Sequence, residues 1–268
     1  MTNNAKLATC NTQLTIGWLY PQLMSTYGDR GNILVLQKRS EWRKINVEII
    51  PIDQSTSDQK LKTIDLLFGG GAQDREQEIV MRDLQKKKNV ITELIANNMP
   101  ALFVCGAPQL MGHYYEPAEG KQIEGLGIFD MITRHPGPKQ DRLIGNIIAE
   151  IQTNNIPNLY SLVTNHFIVG FENHGGRTHL GKTAKPFAKV IKGYGNNGED
   201  GTEGIIYNNA IGSYLHGPLL PKNPQLADWL ITTALHVKYK KRIILQPFDD
   251  FLEQNARKTI ANRLGLKV

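Results

Sequence analysis

Cysteine is scarce in this chain: 268 residues hold two, Cys10 and Cys105, far apart and in unlike surroundings. A disulfide framework is therefore not the source of its stability, and so sparse a use of thiols suits a reducing cytosol better than secretion. Long apolar runs are also missing. The start, MTNNAKLATCNTQLTIG, stays polar up to Leu14, and no later stretch approaches the roughly 18 apolar residues of a membrane span. A cytoplasmic chain without a transmembrane segment is the expectation. No RNA-binding signature, zinc-finger spacing or stripe of aromatics among basic residues appears, which argues against nucleic acid as a partner and against a bound metal. No ATP-binding glycine loop ending in Gly-Lys-Ser/Thr is present either. What the chain does carry is a formal charge of +6, which suits an acidic partner, a phosphate-bearing substrate or an anionic membrane surface. The densest basic cluster, Lys86-Lys87-Lys88, falls in a helix-like segment and reads as a solvated face.

The apolar pattern of the first 115 residues alternates strand and helix. LTIGWL (14–19), INVEIIPI (45–52), IDLLFGG (64–70) and PALFV (100–104) read as buried strands. Helices are predicted over about 31–43, over 74–98 with one possible break, and over GAPQLMGHYY after Cys105. This alternation is that of a parallel sheet with helices on both faces. The second half is richer in strands, predicted at 142–151, 167–173, 187–191, 202–207 and 210–216, and it closes with amphipathic helices over 224–239 and 248–265. No repeat or linker interrupts it, so one domain is expected.

The segment ALFVCGAPQLMG places a thiol at the join of a parallel strand and the following helix. Open α/β folds bind ligands at that edge of the sheet. A nucleophile on such a turn needs small neighbours, and Gly106 and Ala107 supply them, although Phe103 stands where a small residue is often found. Unpaired N–H groups at the helix start favour a thiolate and can receive an oxyanion. Cys10, in the polar tail, has none of this context. A thiolate nucleophile also needs a base that can return a proton, and histidine does both. His216, at the end of AIGSYLHG, is the best placed of seven, with His174 in FENHGGRTH second. The loop FGGGAQDREQ offers Gly69, Gly70 and Gly71 for close backbone approach to a substrate.

Taken together, GWLYPQLMSTYGDRGN, FGGGAQDREQ, VCGAPQLMG, GFENHGGRT and GSYLHGPLLPKNP resemble the class I glutamine amidotransferase domains of the cobyric acid synthase type. Within that family they are most similar to the glutaminase subunits of lipid II isoglutaminyl synthases. The resemblance implies a three-layer, flavodoxin-like α/β fold with a mostly parallel central sheet and extra strands in the second half. The chain is accordingly read as a polar tail over 1–13, an amidotransferase domain over 14–239, of which the resemblance covers about 14–235, and a helical extension over 240–268, packed on that domain or docking a partner.

In chemistry, the resemblance implies hydrolysis of L-glutamine through a Cys105 thioester, with His216 moving protons and the N–H groups of Gly106 and Gly71 holding the oxyanion. Many relatives carry a glutamate two residues after the histidine; here that position is Pro218. The orienting carboxylate is then expected from Asp29 in YGDRGN, or from Glu172. Arg142 matches the family's glutamine-binding arginine, and Gln109 and Gly70 are further candidate substrate contacts. A Mur-ligase-like, MurT-type partner would supply ATP and magnesium and take the ammonia to amidate D-glutamate of lipid II, giving peptidoglycan its D-isoglutamine. This chain would then need no cofactor of its own and could work at the inner face of the membrane. An amidotransferase for another acceptor such as a corrinoid, a cysteine hydrolase and a non-catalytic binding module are the alternatives.

Overall fold

The apolar runs of the first half become the strands of one sheet. The computed structural model describes residues 6–7, 12–156 and 166–266; Cys10 and most of the polar tail lie outside them. The order is β1 (Lys6–Leu7), β2 (Gln13–Leu19), α1 (Arg30–Glu41), β3 (Asn46–Ile52), α2 (Asp58–Leu61), β4 (Leu66–Gly69), α3 (Asp74–Leu84), α4 (Lys88–Ala96), β5 (Ala101–Val104) and α5 (Gly106–Met111). There follow β6 (Tyr114–Glu116), β7 (Ile123–Glu124), β8 (Met131–Arg134), β9 (Leu143–Ile151), β10 (Phe167–His174), β11 (Arg177–Leu180), β12 (Ala188–Lys192), β13 (Thr202–Glu203), β14 (Ile205–Tyr207), β15 (Ala210–Ser213), α6 (Pro224–Tyr239), β16 (Ile243–Ile244) and α7 (Phe251–Arg263).

The central sheet runs β14-β15-β5-β4-β2-β3, parallel throughout except for β14. Strands buried on both faces must be apolar on both, which is why they read as unbroken runs. Along β5, Leu102 and Val104 enter one core, while Ala101 and Phe103 enter the other. The first core is closed by Ile33 and Leu36 of α1 and by Leu226, Trp229 and Leu230 of α6. The second is closed by Val80 and Leu84 of α3, Val90 and Ile91 of α4, and Leu110 of α5. The result is the expected three layers. No helix among the described residues is long and apolar enough to cross a membrane.

The single break expected within 74–98 falls at a 3₁₀ turn over Gln85–Lys87. Several other local expectations are corrected. Lys87, expected on a solvated face, is buried, because its ammonium meets Asp83 Oδ2 at 2.6 Å while the Tyr20 hydroxyl donates to the same oxygen at 2.7 Å. The helix after Cys105 has only six residues, and Tyr114 and Tyr115 belong to β6. The strand expected over 202–207 divides at Gly204, whose φ is +64°, and β15 stops at Ser213. His216 lies three residues beyond it and pairs in isolation with Phe171 of β10.

Two further four-stranded sheets, β10-β9-β12-β13 and β11-β8-β6-β7, lie beside the central one. They build the wall next to the ends of β5 and β15. The C-terminal extension packs against the same body. Arg39 of α1 pairs with Asp228 and Asp250, Arg43 pairs with Asp228, and Arg43 lies 3.9 Å from the centroid of the Phe248 ring. Further on, Arg257 of α7 donates to the Phe167 carbonyl oxygen.

Asp228 serves two guanidiniums whose side chains are 4% and 1% exposed. Asp228→Ala leaves Arg43 without a carboxylate and Arg39 with Asp250 alone, and the expected loss is about 3 kcal/mol, read as a lower urea midpoint at unchanged slope. Asp250→Ala leaves Arg39 its bidentate partner, so its loss is expected to be clearly smaller.

Candidate active site

Cys105 stands where β5 gives way to α5. Its N–H still donates across the sheet to Ser213 O at 2.8 Å, but its own backbone turns to φ 55°, ψ −100°. A non-glycine residue in that region is strained and is held there by its surroundings. The next residue can only be glycine, because a Cβ on Gly106 would lie 2.9 Å from Ala72 N and 3.1 Å from Ala72 O. That closeness brings the glycine loop after β4 against the thiol corner. Since α5 is a single short helix, the individual N–H groups at its start matter here more than a summed helix dipole.

His216 and Asp29 meet at this corner. Both are fully buried, and His216 Nδ1 lies 3.0 Å from Asp29 Oδ1. Asp29 is placed by the loop after β2, at the head of α1. It occupies the N-cap position there without making a capping bond, because its carboxylate turns inward instead. Nε2 of His216 takes no conventional hydrogen bond and lies within electrostatic reach of the Cys105 sulfur. Burial alone pushes this imidazole down. The charge of Cys105 and the hydrogen bond to Asp29 outweigh it and raise the imidazole to about 10, so a protonated ring is favoured beside the sulfur. Tyr27 covers the ring edge-on at 5.0 Å between centroids.

Glu172, the alternative carboxylate, is engaged elsewhere. It accepts from the N–H groups of Tyr194 and Gly195 at 2.7 and 2.9 Å, and burial raises it to about 7. His174 lies flat on Tyr214 at 4.0 Å, donates through Nδ1 to Gly176 O, and is pushed down to about 4 by burial. It is a neutral packing group.

The glycine loop differs from expectation in one respect. The Gly71 N–H, expected to face an oxyanion, donates to Asp29 Oδ2 at 2.7 Å. One carboxylate thus holds both the imidazole and the loop. A Cβ on Gly71 would fall 2.4 Å from Thr26 Oγ1 and 3.1 Å from His216 Cε1, and one on Gly70 would fall 2.6 Å from Met24 O. Gly70 therefore serves the close packing of the loop on the Asp29 segment. Ala72, whose backbone covers Gly106, was not singled out by any sequence pattern.

Gln109 is bonded on both sides, accepting from Gln77 Nε2 at 3.0 Å and donating to the Tyr214 hydroxyl at 3.1 Å. Tyr214 continues to Thr178, and Thr178 to Thr133. Arg142 stays exposed at the rim, where Nε and Nη2 hold Asn173 Oδ1 and O at 2.8 Å each. Tyr27 and Tyr214 were not legible in the sequence, since an isolated tyrosine carries no spacing that marks it.

Asp29→Asn keeps the shape but removes the charge that favours the imidazolium. Alkylation of Cys105 by iodoacetamide, followed on its own peptide by mass spectrometry, should slow at pH 7 by on the order of tenfold. An unchanged rate profile across pH would show that Asp29 does not set the charge of the pair.

Comparisons with known proteins identify the family. The model of the CobB/CobQ-like glutamine amidotransferase domain matches residues 15–224. The chain is 41% identical to the lipid II isoglutaminyl synthase (glutamine-hydrolyzing) subunit GatD of Streptococcus pneumoniae, over 90% of this chain and 88% of that protein. To the subunit of the same name from Staphylococcus aureus it is 38% identical, over 94% of this chain and 96% of that protein. Among solved structures, the glutaminase domain of Trypanosoma brucei CTPS with bound acivicin superposes with a TM-score of 0.54 at 12% identity, over 86% of this chain and 96% of that one, a likeness of fold alone. A family model that spans most of the chain, together with near full-length relatives, leads to one conclusion: this chain belongs to the CobB/CobQ-like glutamine amidotransferase family.

Proposed function

We propose that the chain is the glutaminase subunit of a lipid II isoglutaminyl synthase, hydrolysing L-glutamine and passing the ammonia to a Mur-ligase-like, MurT-type partner. The observation that carries the hydrolytic half is the fully buried His216–Asp29 pair at 3.0 Å beside a cysteine on a strained strand-to-helix turn. The acceptor half rests on the likeness to two curated subunits of that name.

In this mechanism the Cys105 thiolate attacks the side-chain amide carbon of glutamine. The carbonyl electron pair moves to oxygen, where the N–H of Gly106 and that of Ala72 above it receive the charge. The imidazolium of His216 gives its proton to the departing nitrogen as the C–N bond breaks, leaving a thioester and ammonia. The neutral imidazole then takes a proton from water, whose oxygen attacks the thioester; glutamate leaves and the thiolate returns. Asp29 keeps the ring oriented through both steps, and Arg142 at the rim takes the α-carboxylate of the substrate.

Forming an amide from a carboxylate requires activation, and no nucleotide loop is written in this sequence. ATP and magnesium are accordingly assigned to the partner, which activates the α-carboxylate of D-glutamate in the lipid II stem peptide. The complex would work in the cytoplasm, at the membrane face where its lipid-linked acceptor is presented.

Ammonia release from L-glutamine by the purified complex should vanish in Cys105→Ala and persist in wild type. With ATP, magnesium and lipid II present, the stem peptide should lose about 1 Da on amidation by mass spectrometry, as –OH is replaced by –NH2. Undiminished release by the cysteine variant would sink the mechanism; release without amidation of lipid II would sink the acceptor.

A further inference from the structure

One carboxylate near Cys105 has no part in the thiol chemistry. Asp74 opens α3, directly after the glycine loop, and is exposed at the rim of the site. Its Oδ1 accepts a hydrogen bond from the Tyr115 hydroxyl at 2.8 Å, and Tyr115 itself is buried. Among the described residues no lysine, arginine or histidine forms an ion pair with it. An exposed carboxylate is ordinarily free to rotate. Here a buried tyrosine fixes one of its oxygens while the residue stays exposed, so the carboxylate keeps acceptor capacity for a further donor.

Arg142 stands across the Gly175–Gly176 turn from it. A Cβ on Gly175 would lie 2.6 Å from His135 Nε2 and 3.4 Å from Arg142 Nη1. A Cβ on Gly176 would lie 3.1 Å from Gln109 Nε2 and 3.6 Å from Tyr115 Cε2. Two consecutive residues therefore join the guanidinium to the tyrosine that holds the carboxylate, with the α5 side chain Gln109 between them. His135 shows the same convergence. Burial disfavours its charge most; after that the Asp74 carboxylate raises it, while Arg177 and Arg142 lower it. Tyr115 in turn lies within electrostatic reach of Cys105. A fixed anion and an arginine thus lie on either side of the Gly175–Gly176 turn, with Tyr115 coupling that side to the thiol.

Glutamine carries an ammonium and a carboxylate on one carbon, two methylenes away from the amide carbon that the thiol attacks. We propose that Asp74, held by Tyr115, binds the α-ammonium of the substrate opposite Arg142, so that the site selects an α-amino acid amide over a plain ω-amide. The proposal rests on the glutamine-hydrolysing function above. A fixed carboxylate orders nothing further when substrate arrives, and a charge-assisted hydrogen bond of this kind is strong.

The test compares two substrates and two variants in the complex with its partner. The substrates are L-glutamine and glutaramate, which has hydrogen in place of the ammonium. Wild type should show a KM for glutaramate higher than for glutamine by roughly 10- to 100-fold, the range of a hydrogen bond to a charged group. Asp74→Asn should raise the KM for glutamine by about tenfold or more, with kcat within about threefold, and leave glutaramate nearly untouched, so that the preference collapses. Tyr115→Phe should move glutamine in the same direction by less. Equal losses on both substrates would mean that Asp74 only supports the start of α3, and an unchanged preference would mean that it does not meet the ammonium; either overturns the proposal. Wild type that releases no ammonia from glutamine would instead overturn the glutaminase function, and this subsite with it.

Discussion

The Asp29 carboxylate is buried and, among the described residues, forms an ion pair with no lysine or arginine; it survives there because both of its oxygens are occupied: Oδ1 by His216 and Oδ2 by the Gly71 N–H. A buried charge needs such partners. In binding them it ties together the loop after β2, the loop after β4 and the segment after β15, three pieces of chain that meet only at the carboxyl edge of the sheet. The thiol corner depends on this bond, because the same glycine loop lies on Gly106.

The helix headed by Asp29 is fixed from both ends. At its start, Gly31 lies so close to Pro218 that a Cβ would fall 2.4 Å from Pro218 Cγ. Where many relatives are expected to place a glutamate, this chain therefore uses a proline to dock the histidine segment on α1. Further along, Arg39 and Arg43 bind Asp228 of α6, and Arg39 also binds Asp250 just before α7. The C-terminal extension thus bears on the helix that presents the carboxylate.

The parts legible in the sequence are those governed by local pattern. β2, β4 and β5 could be read because strands buried on both faces are unbroken apolar runs, β3 from its short β-branched run although it lies half-exposed at the sheet edge, and α6 because its apolar residues recur at helical spacing. β6, β7 and β8 were missed, being two to four residues long and held by partners elsewhere in the chain rather than by any run of their own. Lys87 was misjudged for the same kind of reason, since a lysine looks solvated until Asp83 is found against it. At the site, Cys105 and His216 were marked by their place at strand ends, whereas Tyr27, Ala72 and Tyr214 carry no pattern at all.

By itself the sequence determined the layered α/β fold, the turn that carries the thiol and the residue types able to run a thioester reaction. These follow from backbone sterics, apolar periodicity and side-chain chemistry, which act over a few residues. Only the tertiary structure brought Asp29, and not Glu172, against a histidine 187 residues away, and turned the Gly71 N–H toward it. The physical reason is that a buried carboxylate takes whichever donors packing brings within hydrogen-bond distance. No stretch of sequence specifies that distance, because it is set by how the sheet edge, α1 and the second-half wall pack together.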